Sequence, residues 1–275
     1  MGAFADFAAY QAAVRSPLVV LPFLKGSQVK DPFRIGSLWT VAAFAGSAPT
    51  TATACDRSTT GALVQLYSTT KQLYLVQAEA VNSNGGNCSL SMILIDRLSH
   101  QGGLVGNTSS EQTTNLPTAA LSRYTSGAGV QVALEIYTAI GSTATSVTLK
   151  YTNSSGTANR VTQPVEFGAT NDNRAGNFYP ISLQDGDEGV RSVESVTLAG
   201  STGTAGAFGV VLYRPLALIP GGTVNGPLPG QVRPVLGGIP SGMPEIDDSA
   251  CLALLCCAGL ATTVGFLGQL HLGAA

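Results

Sequence analysis

Two histidines, the side chains that most often serve as general bases, occur in this chain of 275 residues. One of them, His100, follows Asp96 and Ser99 within a few positions. Hydrolases with a Ser-His-Asp triad bring its members together from distant parts of the chain, and no G-x-S-x-G motif occurs here. Gly102 and Gly103 come next and indicate a turn. We therefore interpret His100 as a histidine in a surface loop, and we predict that the protein is not an enzyme.

Carboxylates and thiols are the other candidates for chemistry. The run from Asp185 to Gly189 holds three carboxylates, but it lacks the regular Asp spacing and the distal Glu of a calcium loop, which predicts a solvated turn. The cysteines form no C-x-x-C pair and have no paired histidines nearby, so we predict buried free thiols, no metal and no cofactor. The five cysteines are Cys55, Cys88, Cys251, Cys256 and Cys257.

Aromatic side chains leave a carbohydrate-binding function open. Such a platform could be lined by Trp39, Tyr67, Tyr74, Tyr124, Tyr137 and Tyr151. Aromatic residues on strands more often pack in a core or between subunits, and we favour packing here. Any two of the 16 acidic residues could also converge as a glycosidase pair, and the sequence favours none of them.

The composition points to protein partners. Charged residues make up 11% of the chain and the formal net charge is -2, with Lys and Arg scattered along the sequence. Binding to phosphates needs a basic face, so we expect no direct contact with nucleic acid. A weakly charged surface is suited to broad packing against other protein.

Alternating apolar residues predict strands from Ser37 to Arg214. The clearest case is Val130 to Ile136, and Ser146 to Thr152 is its expected hairpin partner. Further strands are predicted at Leu38–Phe44, Ala62–Tyr67, Leu73–Ala80, Ser89–Arg97, Val161–Phe167, Phe178–Leu183, Val190–Leu198 and Ala207–Tyr213. About ten strands at this spacing predict a mainly β fold, a β-sandwich of jelly-roll-like topology.

The two ends of the chain differ from this body. Apolar spacing predicts a short helix from Phe4 to Val14, and the prolines that follow predict an extended arm or an edge segment. No basic segment precedes an apolar stretch at the start, so we expect no secretory signal and synthesis in a reducing cytoplasm. Between Pro215 and Pro244 lie seven of the 14 prolines, which predicts a Pro/Gly-rich linker or arm.

The last segment, Ser249 to Ala275, contains no charged residue. It is long enough to cross a membrane, but polar residues, glycines and the lack of basic flanks favour an apolar helix or arm packed on a partner. Acidic residues from Glu245 to Asp248 predict the start of that helix. The expected organisation is a helix and arm (1–36), a β-sandwich domain (37–214), a linker (215–248) and an apolar C-terminal segment (249–275).

Several stretches resemble structural proteins encoded in the head-gene modules of tailed bacteriophages. They include Gly36-Ser-Leu-Trp39, Asp56-Arg-Ser-Thr-Thr-Gly-Ala-Leu63, Ile95-Asp-Arg-Leu-Ser-His100, Thr114-Asn-Leu-Pro-Thr-Ala-Ala-Leu121 and Gly189-Val-Arg-Ser-Val193. The resemblance covers roughly residues 35 to 215. It implies a capsid-associated cement or decoration protein, located in the virion, that bridges capsomers. Such proteins are commonly β-rich and often trimeric, so the implied partners are the major capsid protein and further copies of this chain.

The apolar residues of the two ends are the predicted contacts with those partners. They are Pro17, Leu18, Val19, Val20, Leu21, Phe23, Leu252, Leu254, Leu255, Leu260, Val264, Phe266, Leu267 and Leu270. Two alternatives stay open: another virion component, such as a major capsid, tail or connector protein, and a carbohydrate-binding adhesin.

Overall fold

A computed structural model describes most of the chain. The described residues are 6–26, 34–41, 44–63, 71–82, 90–117, 120–219, 230–232, 244–258 and 265–274. They form α1 (Phe7–Arg15), β1 (Val19–Gly26), β2 (Ile35–Ser37), β3 (Thr53–Ala54), β4 (Leu73–Asn82), β5 (Leu90–Leu104), β6 (Gln112–Leu116), β7 (Gln131–Thr138), β8 (Thr145–Asn153), β9 (Arg160–Val161), β10 (Val165–Phe167), β11 (Phe178–Pro180), β12 (Val190–Leu198), β13 (Ala207–Ile219), β14 (Gly230–Val232), β15 (Glu245–Ile246), β16 (Leu252–Ala258) and β17 (Gly265–Ala274). The prediction of a mainly β protein is confirmed.

Three sheets organise these strands. The terminal sheet has the order β1-β17-β4-β14, with β15 also pairing with β4. The lateral sheet has the order β10-β8-β12-β6, with β9 on β8. The seven-stranded central sheet has the order β11-β7-β13-β5-β16-β2, with β3 on β5.

The long strand β5 connects two hydrophobic cores. Met92 and Leu94 contribute to the core shared with the terminal sheet, while Leu98 and Leu104 contribute to the core shared with the lateral sheet. A third cluster, around Trp39, covers the other face of the central sheet. The central sheet is therefore packed on both faces, as in a layered sandwich.

The predicted hairpin of β7 and β8 is wrong. β7 lies in the central sheet and β8 in the lateral sheet. Their apolar residues nevertheless meet, because Leu134 and Leu149 belong to one core. Hydrophobic alternation shows which residues of a strand share a face. It does not distinguish two strands that pair side by side from two strands that face each other across a sandwich.

Most other predicted strands are confirmed, among them β4, β5, β12 and β13. The strand predicted at Val161–Phe167 is divided into β9 and β10. The strand predicted at Leu38–Phe44 is wrong for its described residues, since Trp39 lies in a turn and its indole Nε1 donates to the carbonyl of Ser47 at 2.9 Å. The prediction for Ala62–Tyr67 falls largely outside the described residues.

The N-terminal predictions are confirmed. Helix α1 begins after Asp6, whose side chain accepts a hydrogen bond from the N–H of Ala9 at 2.8 Å. The Pro-containing segment then forms β1, which pairs only with β17 among the described residues and so lies at a sheet edge. An edge is where Pro22 is tolerated, because proline has no N–H for the ladder.

Of the predicted C-terminal helix or arm, the helix is wrong. Residues 252–258 and 265–274 form β16 and β17, which pair with β5 and β4 respectively. A strand buried on both faces reads as a continuous apolar run, as does a helix that is apolar all round, so periodicity does not separate them. Gly268 allows this packing, since a Cβ atom there would lie 2.4 Å from Cζ of Phe23. No helix among the described residues is long and apolar enough to span a membrane.

Two predicted boundaries also change. Strand β13 continues through Pro215 to Ile219, with an irregular register just after the proline, so the strand passes the predicted end of the β domain. At the predicted helix start, the Asp247 carboxylate instead accepts from the N–H of Ser249 at 2.8 Å and forms a turn before β16. Residues 220–229 and 233–243 of the predicted linker lie outside the described residues. The sheets run across the four predicted ranges, which stay a prediction as domain boundaries.

Truncating two leucines of β17 one at a time tests whether this segment is a strand of the core or a loosely attached arm. Leu270 is fully buried, whereas Leu267 is 49% exposed. We expect Leu270→Ala to lower the free energy of unfolding by about 2–5 kcal/mol, because it removes buried methyl groups and leaves a cavity. Leu267→Ala should lower it by less than about 1 kcal/mol. Urea denaturation followed by circular dichroism measures both, and equal small effects would contradict the placement of β17 in the core.

Candidate assembly surface

The structure divides the predicted partner-contact residues into two groups. Instead of facing a partner, seven of them fill the chain's own cores: Leu21, Phe23, Leu252, Leu254, Leu255, Phe266 and Leu270. Pro17 and Val19 are half-buried, while Leu260 and Val264 lie outside the described residues. The remaining three, Leu18, Val20 and Leu267, are exposed.

The exposed residues lie together on the outer face of the terminal sheet. Along β1 the buried Leu21 and Phe23 alternate with outward-facing residues, as a strand covered on one face requires. Val20 is 44% exposed and Leu24 is 54% exposed. Leu24 pairs directly with Leu267 of β17, so their side chains are neighbours on that face. We call Leu18, Val20, Leu24 and Leu267 the β1–β17 patch.

Helix α1 and a row of polar residues border the patch. Ala13 of α1 packs against Val76 of β4 and covers another part of the terminal sheet. Beyond Leu267, the Gln269 side chain donates to the Glu79 carboxylate at 3.2 Å. An apolar patch bordered by polar side chains is typical of a contact surface for protein. Sequence reasoning identified three of its members but missed Leu24, which the strict alternation of β1 with Val20 could have indicated.

The free edge of β1 is poorly suited to pairing with another strand. Pro22 lies between Val20 and Leu24 and pairs in register with Gln269. Pro22 has no N–H to donate to β17. We therefore infer that the even-numbered residues of β1 direct their backbone groups away from β17, towards the free edge. That edge then lacks a donor at its centre, which discourages strand addition. A partner would therefore contact the face of the sheet.

His100 is not in a surface loop, so that prediction is wrong. It lies within β5 and is 1% exposed. The register of β5 against β13 shifts between Leu212 and Tyr213, which makes Leu98 an extra residue. This bulge places Arg97 and His100 on the same face, and Nη2 of Arg97 lies 2.9 Å from Nδ1 of His100. A bulge leaves no signal that hydrophobic alternation can reveal.

Arg97 is the centre of a buried polar cluster. Its Nη2 atom lies 2.7 Å from the Glu135 carboxylate and donates to the Tyr137 hydroxyl at 3.0 Å. The guanidinium also lies over the Trp39 ring, 4.3 Å from its centroid. Both charged side chains are fully buried. The cluster joins β5 to β7 across the central sheet, and its two charged side chains are not exposed to solvent.

Asp96 and Ser99 do not converge on His100. The Asp96 carboxylate makes two hydrogen bonds with Arg123, at 2.8 and 2.9 Å, and also accepts from the N–H of Cys251. Burial raises the pKa of Asp96, and the Arg123 guanidinium opposes that rise. The Ser99 hydroxyl instead donates to the carbonyl of Thr53 at 3.1 Å. These contacts attach neighbouring segments to β5.

The acidic run is a turn before β12, as predicted, and Asp187 holds it to β8. The Asp187 carboxylate accepts hydrogen bonds from Tyr151, Asn153 and Arg160. Burial alone would raise the pKa of Asp187, but these donors outweigh it and lower the pKa to about 2. Within the described residues, no group of three potential metal ligands comes together here or elsewhere.

The aromatic residues that could line a carbohydrate platform are divided among several sites. Trp39 and Tyr137 meet in the buried Arg97 cluster, Tyr151 lies in another core, and Tyr74 packs beside helix α1. Tyr124 lies beneath the Arg214 guanidinium, 4.3 Å from it. The described aromatic residues therefore form no common surface, while Tyr67 lies outside the described residues.

Comparison with known proteins yields no family. The sequence matches no protein-family profile and no curated protein. Among solved structures, the VP2 subviral particle of infectious bursal disease virus is similar over 97% of this chain and 86% of the other, with 10% identity and a TM-score of 0.21. The Gx strain of the same virus gives 98% and 86% coverage, 9% identity and a TM-score of 0.20. These TM-scores are well below those of proteins that share a fold.

Neutralising one partner of an ion pair measures how far the Arg97 cluster stabilises the sheet. Glu135→Gln should lower the free energy of unfolding by about 3–5 kcal/mol, because it leaves the Arg97 charge buried without a counter-charge. Asp248→Asn is the matched control, since Asp248 pairs with Arg57 near the surface. We expect the control to change stability by at most about 1 kcal/mol. Similar effects of both substitutions in guanidinium denaturation would contradict the assignment.

Proposed function

We propose that the protein is a structural component of a virion, specifically a cement or decoration protein that bridges capsomers. Its partners would be the major capsid protein and further copies of this chain. The observation that carries the proposal is the β1–β17 patch, a set of half-exposed apolar side chains on the outer face of the terminal sheet. The resemblance of the sequence to structural proteins of tailed phages supports the same role.

The size of the patch favours many weak contacts over one strong interface. Complete burial of an aliphatic side chain contributes about 1.5–3 kcal/mol, so covering the exposed halves of four such residues contributes on the order of 4 kcal/mol. Association of two free proteins costs about 4–15 kcal/mol in lost motion. The patch alone therefore gives weak binding in solution. In a shell, where each copy makes several contacts, effective concentration makes such contacts sufficient.

The fold is consistent with a subunit that folds before it assembles. Residues 252–256, which carry no charge, and Phe266, Leu270 and Leu272 of β17 are buried in the chain's own sheets. The chain therefore needs no partner to cover these residues. The patch stays exposed, as do four large apolar side chains on other segments of the described chain: Phe7, Phe44, Val161 and Leu218. A stable subunit with a limited apolar surface is suited to binding a shell that has already formed.

A carbohydrate-binding adhesin is a second candidate. One observation favours it, a polar cavity of about 510 Å³ beside the acidic turn, lined in part by Gln131, Ser182, Gln184 and Asp187. Its lining includes no aromatic side chain on which a sugar ring could stack. A glycan array is the direct test: specific binding abolished by Gln184→Ala would support the adhesin over the cement protein.

Mass spectrometry of particles tests the virion assignment. Particles of the virus that encodes this chain would be purified on a density gradient, and the copy number of the protein measured against the major capsid protein. A cement protein is expected at a fixed, high copy number that persists after a salt wash. Absence of the chain from purified particles would contradict the proposal, and a few copies per particle would indicate a tail or connector position.

A charge pair placed in the patch tests its role. The double variant Leu24→Lys and Leu267→Glu puts opposite charges on directly paired residues, which is compatible with the sheet. We expect at least tenfold less incorporation into particles, because the charges would have to be desolvated on contact. The control is Val161→Glu, a residue that is also 49% exposed but lies on β9 opposite Lys150. Equal incorporation of the double variant and the control would exclude the patch from assembly.

A further inference from the structure

Two cysteines from distant parts of the sequence meet beside β5. Cys55 follows β3 and Cys251 precedes β16, and both strands pair with the same strand, β5. The N–H of Cys55 donates to the carbonyl of Leu98 at 2.9 Å, and the N–H of Arg97 donates to the carbonyl of Cys251 at 2.9 Å. Adjacent residues of one strand therefore hold the two cysteines next to each other.

The thiols point into the same space. Both belong to the hydrophobic cluster around Trp39, and they are 1% and 0% exposed. Neither is in a disulfide, and the Cys55 thiol donates to the carbonyl of Thr53 at 3.9 Å. The Leu98 bulge, which places Arg97 and His100 on this face, also brings these two groups to the thiols.

The surroundings of the two thiols shift their pKa values in opposite directions. The hydrogen bond from Cys251, together with His100 and Arg97, lowers the pKa of Cys55 despite its burial. The same shared proton and burial raise the pKa of Cys251. A thiolate beside a protonated thiol is the arrangement of an attacking and a resolving cysteine.

We infer that Cys55 and Cys251 form a redox-sensitive pair that closes to an intramolecular disulfide when the protein meets a hydroperoxide. The two sulfur atoms would approach to about 2.05 Å. The bond would link the segment after β3 to the start of β16, and so attach the first part of the chain to its C-terminal strands. This inference does not depend on the proposed function.

The oxidation proceeds in two balanced steps with hydrogen peroxide as the oxidant. The Cys55 thiolate attacks one peroxide oxygen, an S–O bond forms, the O–O bond breaks, and the leaving hydroxide takes a proton from solvent to become water. The Cys251 sulfur then attacks the Cys55 sulfur, the S–S bond forms and the S–O bond breaks. The hydroxyl leaves with the Cys251 proton as a second water. The two sulfurs are oxidised, and the peroxide is reduced.

Peptide mapping of the full chain tests the pair. Reduced protein would be treated with hydrogen peroxide, unfolded, alkylated and digested without reductant. We expect a disulfide-linked peptide containing Cys55 and Cys251, and a melting temperature on the order of 10 °C above that of the reduced protein, because the bond closes a long loop. Both changes should be reversed by dithiothreitol.

Three single variants serve as controls. Cys55→Ser and Cys251→Ser should each abolish the linked peptide and the rise in melting temperature. Cys256→Ser, which alters another buried thiol of β16, should retain both. Recovery of Cys55 and Cys251 as free alkylated thiols from oxidised wild type would overturn the inference, as would over-oxidation of Cys55 without a linked peptide.

Discussion

The pairing of the C-terminal strands with the rest of the chain is the interaction on which the structure depends. β17 lies between β1 and β4, and β16 lies beside β5. Without β17 the terminal sheet would lose its central pairing, and Leu270 and Leu272 would leave the core that this sheet shares with β5. Residues with no charged side chain can occupy such positions because β16 is covered on both faces and β17 on its inner face. An uncharged tail that could suggest an anchor is thus part of the fold itself.

Because β16 and β17 are part of the sheets, they determine which apolar surface stays exposed to other molecules. The inner face of the terminal sheet is filled by the chain's own residues. Four of the eight large apolar side chains that stay exposed among the described residues form the β1–β17 patch. Two buried ion pairs lie inside the body, Arg97 with Glu135 and Asp96 with Arg123, while the buried Lys25 ammonium donates to backbone carbonyls. Unpaired charge would weaken the sheets, whereas these pairs attach loops and strands to β5. A folded body that carries a modest apolar patch is consistent with the proposal of a subunit that contributes weak, repeated contacts to a shell.

Local patterns predicted the strands, and long-range pairing was beyond them. The alternation in β7, β12 and β13 predicts extended strands without knowledge of the partner strand, and it does not reveal that Ala133 and Glu135 on the other face of β7 are buried as well. The same alternation cannot say whether β7 pairs with β8 or faces it. Composition also failed where two structures share one signature: the apolar tail is compatible with a helix and also with strands such as β16, which is buried on both faces. His100 and the Cys55–Cys251 contact depend on a one-residue bulge at Leu98, which only the register of β5 against β13 reveals.

We propose that the outer face of the terminal sheet is a contact between subunits in a particle. Cryo-electron microscopy of particles purified from cells that produce this chain is the decisive measurement. We expect density for this protein on the capsid, with Val20, Leu24 and Leu267 buried against a neighbouring subunit. A map in which the protein is present on the capsid and this face is fully exposed to solvent would overturn the proposal.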